Sequence, residues 1–197
     1  MIKVISYILY KILYWIDSLF RLIFRKSFLV WFKEFIQEDS YKKIKIFNKN
    51  IIFFVPNKLT EWRVDTIFKA EPETLNWIDG FNTSEKIIFW DIGANIGLYS
   101  IYAALKYSDI EVVSFEPSTS NLRVLSRNIS INNLENKIKI NQFPLTDKEN
   151  KYLMMKEGQF MEGAALNSFN ENYDFEGNKF QSSQNYSDYC YQYWKEI

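Results

Sequence analysis

The spacing of apolar residues in the middle of the chain predicts strands and helices in alternation. An apolar run over residues 87–90 has the length and residue types of a strand buried on both faces. A helix is predicted over residues 98–107, a second strand over 111–115, and a second helix that begins at Pro117. With a third strand over 137–140, the order β-α-β-α-β predicts a parallel, doubly wound α/β sheet with right-handed crossovers.

A β-hairpin and a helical segment are predicted ahead of this sheet. Residues 44–47 and 51–55 have the pattern of two strands around a turn at Asn48–Asn50, since asparagine tolerates the positive φ of tight turns. Residues 61–80 are predicted to be helical, with Pro72 at a position suited to the start of a helix.

The first 36 residues are the most apolar part of the chain. At 100° per residue, seven polar side chains of this segment share an arc of about 140° on a helix: Lys3, Ser6, Lys11, Asp17, Ser18, Arg21 and Arg25. The charges interrupt any run long enough to cross a bilayer, and the segment lacks a secretory cleavage site. Two interpretations stay open: an interfacial helix on an anionic membrane, or a helix that packs on the fold or on a partner subunit.

Beyond Asn141 the periodicity fades. Residues 152–155 and 163–166 are predicted to be short strands. The polar sequence from Asn167 onward predicts irregular structure. The pattern therefore divides the chain into a helical segment (1–40), a hairpin and helix (41–80), the sheet (81–166) and a tail (167–197).

Composition excludes several kinds of chemistry. The 197 residues contain no histidine and one cysteine, Cys190. Ser-His-Asp hydrolysis, histidine general bases, cysteine zinc clusters and intrachain disulfides are therefore excluded, and we expect no metal site. A formal net charge of zero does not indicate a nucleic-acid partner. We expect a cytoplasmic protein, with membrane association left open by its N-terminal helix.

The segment Asp91–Gly97, Asp-Ile-Gly-Ala-Asn-Ile-Gly, joins the first strand to its helix. Gly93 permits a sharp turn and close approach of a ligand to the backbone, and Gly97 lets the helix start close to the strand. Asn95 tolerates left-handed conformations, and Asp91 can accept a hydrogen bond from an ammonium group. Such a turn presents backbone N–H groups and the positive end of a helix to a ligand.

Glu116 ends the second strand, 19 residues after Gly97. This is close to the spacing of roughly 20 residues at which a carboxylate reaches ribose hydroxyls in a nucleotide-binding βαβ unit. The dinucleotide fingerprint requires a glycine where Asn95 stands, which disfavours NAD and a nicotinamide-dependent oxidoreductase. The motif therefore favours S-adenosylmethionine, with a ligand-free tight turn as the alternative.

Three features of the sequence belong together: the motif at 91–97, Phe-Glu-Pro at 115–117 and the asparagine spacing after it. With them, the chain resembles the FkbM-type methyltransferases over about residues 61–145. The resemblance implies a Rossmann-like, class I, S-adenosylmethionine-dependent methyltransferase that acts on a hydroxyl of a sugar or natural product. The cofactor-binding residues would then be Asp91, Gly93, Asn95, Gly97, Glu116 and Ser118. Glu71 would lie near the site, and the catalytic base stays unassigned.

The chain also departs from that family. The sheets of that family have more strands than the three predicted here. The family also has a Lys-Ile-Asp-type strand end in its second half, and this sequence has no counterpart to it. Only 55 residues follow Gln142, and each βα unit takes on the order of 30 residues. We therefore expect a truncated N-terminal half, possessing an open edge along residues 87–90 and lacking activity. The alternative is a non-catalytic remnant that binds a partner or membrane through its first helix.

Overall fold

The computed structural model describes residues 1–145, 153–157, 160–165, 167–169, 173, 177, 179 and 189–191. The chain divides into two compact units, Met1–Ser40 and Tyr41–Ile197. The first is helical, and the second contains the predicted sheet. Within the described residues, no helix is long and apolar enough to cross a membrane.

The N-terminal unit is a pair of helices, α1 (Ile2–Phe24) and α2 (Leu29–Glu38). Helix α1 ends at Arg25, which takes the left-handed conformation with φ 52°. The chain therefore forms two helices where the amphipathic pattern of the sequence predicted a single helical segment.

Asp17 fixes the connection between these two helices. Its buried carboxylate accepts hydrogen bonds from Arg21 Nε (2.7 Å), Ser27 Oγ (2.9 Å) and the backbone N–H groups of Phe28 (2.8 Å) and Leu29 (3.2 Å). Burial alone would raise the pKa of Asp17, but these hydrogen bonds outweigh it and lower the pKa below its usual value. Asp17 thus caps α2, whose own N-terminal residue has no polar side chain to do so.

The second unit begins with an antiparallel hairpin of β1 (Tyr41–Ile46) and β2 (Lys49–Phe54). The turn lies at Phe47 and Asn48, with φ 48° and 62°, so the predicted turn at 48–50 is wrong by one residue. The side chain of Phe47 stabilises this position because its ring packs 4.7 Å from that of Tyr102.

The stretch predicted as one helix over 61–80 is two helices, α3 (Lys58–Thr66) and α4 (Pro72–Asp79). Asn57 starts α3 with a capping box, in which its side chain accepts from the N–H of Thr60. The break before α4 has a steric cause, since proline disfavours a helical conformation in the residue that precedes it.

The parallel sheet is confirmed, in the order β3-β4-β5. Its elements are β3 (Ile87–Ile92), α5 (Leu98–Lys106), β4 (Ile110–Phe115), α6 (Thr119–Ile131) and β5 (Ile138–Asn141). Ile87 pairs with Ile110, and Val112 pairs with Ile138. The arrangement is a mixed α/β fold with a partial Rossmann-like sheet, and it brings the ends of β3 and β4 side by side.

Strand β3 is buried on one face only, so the prediction of burial on both faces is wrong. Phe89 and Asp91 point into the unit, whereas Ile88, Trp90 and Ile92 are 66%, 47% and 64% exposed. Among the described residues, β3 pairs with β4 alone, and its outer edge is open as predicted.

Three short strands form a second, antiparallel sheet in the order β7-β6-β8. They are β6 (Leu153–Lys156), β7 (Ser168–Phe169) and β8 (Tyr189–Tyr191). Strands β7 and β8 lie in the segment predicted to be irregular, and most of that segment is outside the described residues. Residues 163–165 are not the predicted strand but a turn and loop, and Leu166 is outside the described residues.

Asn128 ties the hairpin to the sheet from the buried face of α6. Its Oδ1 accepts from the backbone N–H of Phe54 (2.7 Å), and its Nδ2 donates to the carbonyl of Ile96 (2.9 Å). Asn128→Ala leaves both buried backbone groups without this hydrogen-bond partner. We therefore expect the substitution to lower the free energy of unfolding by about 2 kcal/mol. Urea denaturation would measure this loss.

The matched control is Ser126→Ala on the exposed face of the same helix, where the hydroxyl donates to the Arg123 carbonyl (3.3 Å). We expect a change within about 0.5 kcal/mol. Equal destabilisation by the two substitutions would contradict a bridging role for Asn128.

Candidate functional site

The turn between β3 and α5 carries three positive φ angles. They are 78° at Gly93, 51° at Asn95 and 86° at Gly97. The backbone N–H groups of Gly93 and Ala94 donate to the carbonyl of Phe115 at 2.8 and 3.0 Å. The turn is therefore fastened to the carboxyl end of the neighbouring strand, β4, which is where a parallel sheet binds ligands.

Gly93 and Gly97 have different surroundings. A Cβ added at Gly93 would meet nothing within 4 Å, because this residue borders an open cleft. A Cβ added at Gly97 would lie 2.5 Å from Leu125 Cδ1 on α6. Gly93 thus leaves space at the site, whereas Gly97 permits close packing of helices beneath it.

Glu116 connects this turn to the start of α6. Its Oε2 accepts from the backbone N–H of Asn95 (2.7 Å), and its Oε1 accepts from that of Ser118 (2.8 Å). The side chain is 4% exposed. Burial raises the pKa of the Glu116 carboxyl, and the hydrogen bonds from Ser118 and Asn95 offset only part of that rise. Ser118, also buried, caps α6 through its side chain, which accepts from the Asn121 N–H.

Asp91 serves chiefly to hold the turn together. Its buried carboxylate accepts from the hydroxyl of Ser100 on α5, and that hydroxyl lies 2.6 Å from Ser114 Oγ on β4. Burial raises the pKa of Asp91 despite the opposing hydrogen bonds from Ser100. Asp91 also borders the cleft, so its charge acts on whatever binds there.

A segment far along the chain, residues 161–165, crosses the site. The carbonyl of Ala164 accepts from Asn95 Nδ2 (2.7 Å) and Asn121 Nδ2 (3.0 Å), and the carbonyl of Gly163 accepts from Arg63 Nε (2.6 Å). Asn95 Oδ1 is buried without a hydrogen-bond partner among the described residues. An unsatisfied buried acceptor beside an open cleft is suited to a ligand that donates a hydrogen bond.

The cleft beside Gly93 has a volume of about 440 Å³, within the usual range for small-molecule sites. Its polar rim includes Arg63, Glu71 and Tyr99, and its aromatic lining includes Trp62 and Trp90. The Tyr99 hydroxyl donates to Glu71 Oε2 at 2.8 Å.

The sequence had indicated Glu71 but missed Arg63 and Tyr99. Arg63 comes from α3, which lies ahead of the sheet and has no recognisable spacing to the glycine motif. Burial lowers the pKa of Arg63, and its guanidinium faces the negative charges of Glu71 and Glu116. The cleft is therefore lined by both a basic and an acidic side chain, Arg63 and Glu71.

The fold belongs to the α/β class, and its candidate ligand site lies at the carboxyl ends of adjacent parallel strands. A solved structure that the chain resembles is a proposed transferase from Pyrococcus horikoshii, at 16% identity and a TM-score of 0.35. The similarity covers 54% of this chain and 37% of that one.

Sequence comparison finds a methyltransferase, sdnD of Sordaria araneosa, which is 41% identical over 56 residues. The match covers 28% of this chain and spans 22% of the length of that relative. No protein-family model matches the chain.

Proposed function

We propose that the unit Tyr41–Ile197 binds S-adenosylmethionine and belongs to an FkbM-type O-methyltransferase whose acceptor is a hydroxyl of a sugar or natural product. One observation carries the proposal: the turn that leaves open space over Gly93 is held by the buried carboxylate of Glu116, which accepts from the backbone N–H of Asn95 two residues further on. A ribose diol and a compact, positively charged amino-acid sulfonium together match this combination of carboxylate and unobstructed backbone.

The residues present fit the cofactor. The empty space over Gly93 admits a ligand against the backbone, and the unsatisfied Asn95 Oδ1 accepts from a ligand donor. Arg63 and Glu71, on the rim of the cleft, would hold the carboxylate and ammonium groups of the methionine portion. Glu116 would hold the ribose hydroxyls.

Bound S-adenosylmethionine would supply a methyl group from its sulfonium to an acceptor hydroxyl, with the neutral thioether as the leaving group and the hydroxyl proton released. The contribution of the protein is to align donor and acceptor and to exclude water, for which the aromatic lining of the cleft is suited. Burial and then Glu71 raise the pKa of Tyr99, which keeps its phenol protonated. Tyr99 would therefore position the Glu71 carboxylate, to which its hydroxyl donates, rather than remove a proton.

Gly93→Ala tests the binding site without disturbing the packing. We expect its methyl group to occupy the cleft and to lower the affinity for S-adenosylmethionine at least tenfold, or about 1.4 kcal/mol. Isothermal titration calorimetry would measure the change in Kd, with NAD titrated in parallel.

Gly177→Ala is the matched control, since Gly177 also has a positive φ (84°) and no atom of the described residues lies within 4 Å of an added Cβ. Both substitutions carry the same backbone strain, about 1–2 kcal/mol, but only Gly93 borders the cleft. The proposal fails if the wild-type protein binds no S-adenosylmethionine, if it binds NAD more tightly, or if both variants bind as the wild type does.

A further inference from the structure

Helix α1 exposes a continuous apolar face in the N-terminal unit. At 100° per residue, six large apolar side chains share an arc of about 100°. They are Ile5, Ile8, Ile12, Trp15, Leu19 and Leu22, and their exposed fractions run from 42% to 80%. Such a face is larger than the scattered apolar residues of an ordinary surface and requires a partner.

Helix α2 does not cover this face. The contacts that join the helices centre on Asp17, which lies about 170° around the helix from the middle of the apolar arc. Asp17 and Arg21 hold the start of α2 there through Ser27 and Phe28. The polar side of α1 is thus turned toward α2, and its apolar side is left without a neighbour within the unit.

The charges of the segment identify what would cover the face. Residues 1–28, which span α1 and the connection to α2, contain five basic residues and one acid, and that acid is the buried Asp17, already bonded to Arg21. The other acids of the unit, Glu34, Glu38 and Asp39, belong to α2 or follow it. Lys11 and Arg25 border the apolar arc, so every exposed charge next to it is positive. A surface that is apolar in the middle and positive at its margin is complementary to an anionic lipid bilayer.

Aromatic side chains with polar atoms accompany this charge. Tyr7 and Tyr14 lie on the basic side of α1, where the Lys11 ammonium is 5.3 and 6.0 Å from their ring centroids. Trp15, on the apolar face, is 64% exposed. Tyrosine and tryptophan concentrate at the headgroup level of membranes because their rings are apolar at one end and polar at the other.

We propose that α1 lies in the plane of an anionic membrane, with the arc from Ile5 to Leu22 buried at the boundary between headgroups and acyl chains. Asp17 contributes by keeping α2 on the opposite side of the helix, away from the lipid. The proposal is independent of the cofactor site, which belongs to the other unit.

Vesicle co-sedimentation of the full chain tests the proposal. We expect binding to vesicles of phosphatidylcholine with phosphatidylglycerol, and weaker binding to phosphatidylcholine alone or in high salt. The double variant Ile8→Gln with Ile12→Gln should bind at least tenfold more weakly, since both exposed side chains lose contact with lipid and the net charge is unchanged. Gln is also a good helix former, so α1 is retained.

Ser18→Gln is the matched control, because Ser18 is exposed on the polar side of the same helix. We expect binding within about twofold of the wild type. A second double variant, Lys3→Gln with Lys11→Gln, should reduce binding to anionic vesicles about fivefold or more and leave binding to phosphatidylcholine unchanged.

Two results would overturn the proposal. One is absence of binding to anionic vesicles, or binding that the Ile8→Gln, Ile12→Gln variant retains in full. The other is a dimer in light scattering that this variant dissociates while vesicles compete poorly for the face, which would assign the face to a second copy of the chain.

Discussion

Replacing Gly97 with alanine is expected to lower the free energy of unfolding of the Tyr41–Ile197 unit by about 4 kcal/mol. Two costs combine. The residue has φ 86°, a conformation that an L side chain adopts only with strain, and its new Cβ would lie 2.5 Å from Leu125 Cδ1. Leu125 is fully buried, so its side chain must shift within a packed core to admit the methyl group.

Gly80→Ala provides the comparison within the same unit. Gly80 has φ −91°, and an added Cβ would stand 3.5 Å from the Trp77 carbonyl, an ordinary contact. We expect unchanged or slightly increased stability, because alanine restricts the unfolded chain. Urea midpoints would separate the two variants, and a Gly97→Ala protein as stable as Gly80→Ala would mean that the turn is not packed as described.

The second large effect is expected at Glu116, where the substitution to glutamine should weaken S-adenosylmethionine binding at least tenfold, or about 1.4 kcal/mol. The prediction rests on the proposed function. Glutamine preserves the shape but has one acceptor oxygen, whereas the carboxylate accepts from both Asn95 and Ser118. The substitution removes the charge offered to the ribose and also weakens the turn that lies beneath it.

Raising the pH is expected to change folding stability and cofactor affinity in opposite directions at this site. Since the folded pKa of Glu116 is raised above the unperturbed 4.5, its protonated form favours folding: this contribution is full below pH 4.5 and is lost as pH rises through the folded pKa. Binding of a ribose diol requires the ionised form, so affinity should rise over the same window. We therefore expect the wild type to lose stability relative to Glu116→Gln as it gains affinity.

Glu73→Gln controls for the loss of one negative charge, because Glu73 is an exposed side chain in the first turn of α4. Its affinity should stay within about twofold of the wild type, as expected for a surface charge. Calorimetry between pH 4 and 8 measures the change in affinity, and thermal melts over the same range measure the change in stability. Equal affinity in Glu116→Gln and Glu73→Gln would remove Glu116 from the cofactor site.

Local sequence determined the sheet and the conformation of its main turn. Apolar periods predicted β3, α5, β4, α6 and β5 in order, because such runs form a buried sheet only when helices cross over it. Glycine and asparagine at 93, 95 and 97 predicted the left-handed positions, since those residues adopt them at low cost. Apolar periodicity and backbone preference depend on residues close together in the chain, so both can be read from the sequence alone.

Neighbours distant in sequence decided the roles of the side chains. Asp91 was predicted to bind a ligand; it borders the cleft, and its carboxylate also accepts from Ser100, whose hydroxyl lies next to that of Ser114. Arg63 reaches the cleft from a separate helix and bonds to Gly163, 100 residues away. No local pattern encodes these pairings, because they depend on which elements the packed core brings together.

The same division holds in the N-terminal unit. The sequence by itself determined that α1 has an apolar arc and a polar arc, because the 3.6-residue period places the side chains. Only the tertiary structure decided which arc α2 would occupy. Asp17 can satisfy its buried carboxylate with the N–H groups of Phe28 and Leu29 only if α2 starts on the polar side, and this leaves the apolar side exposed.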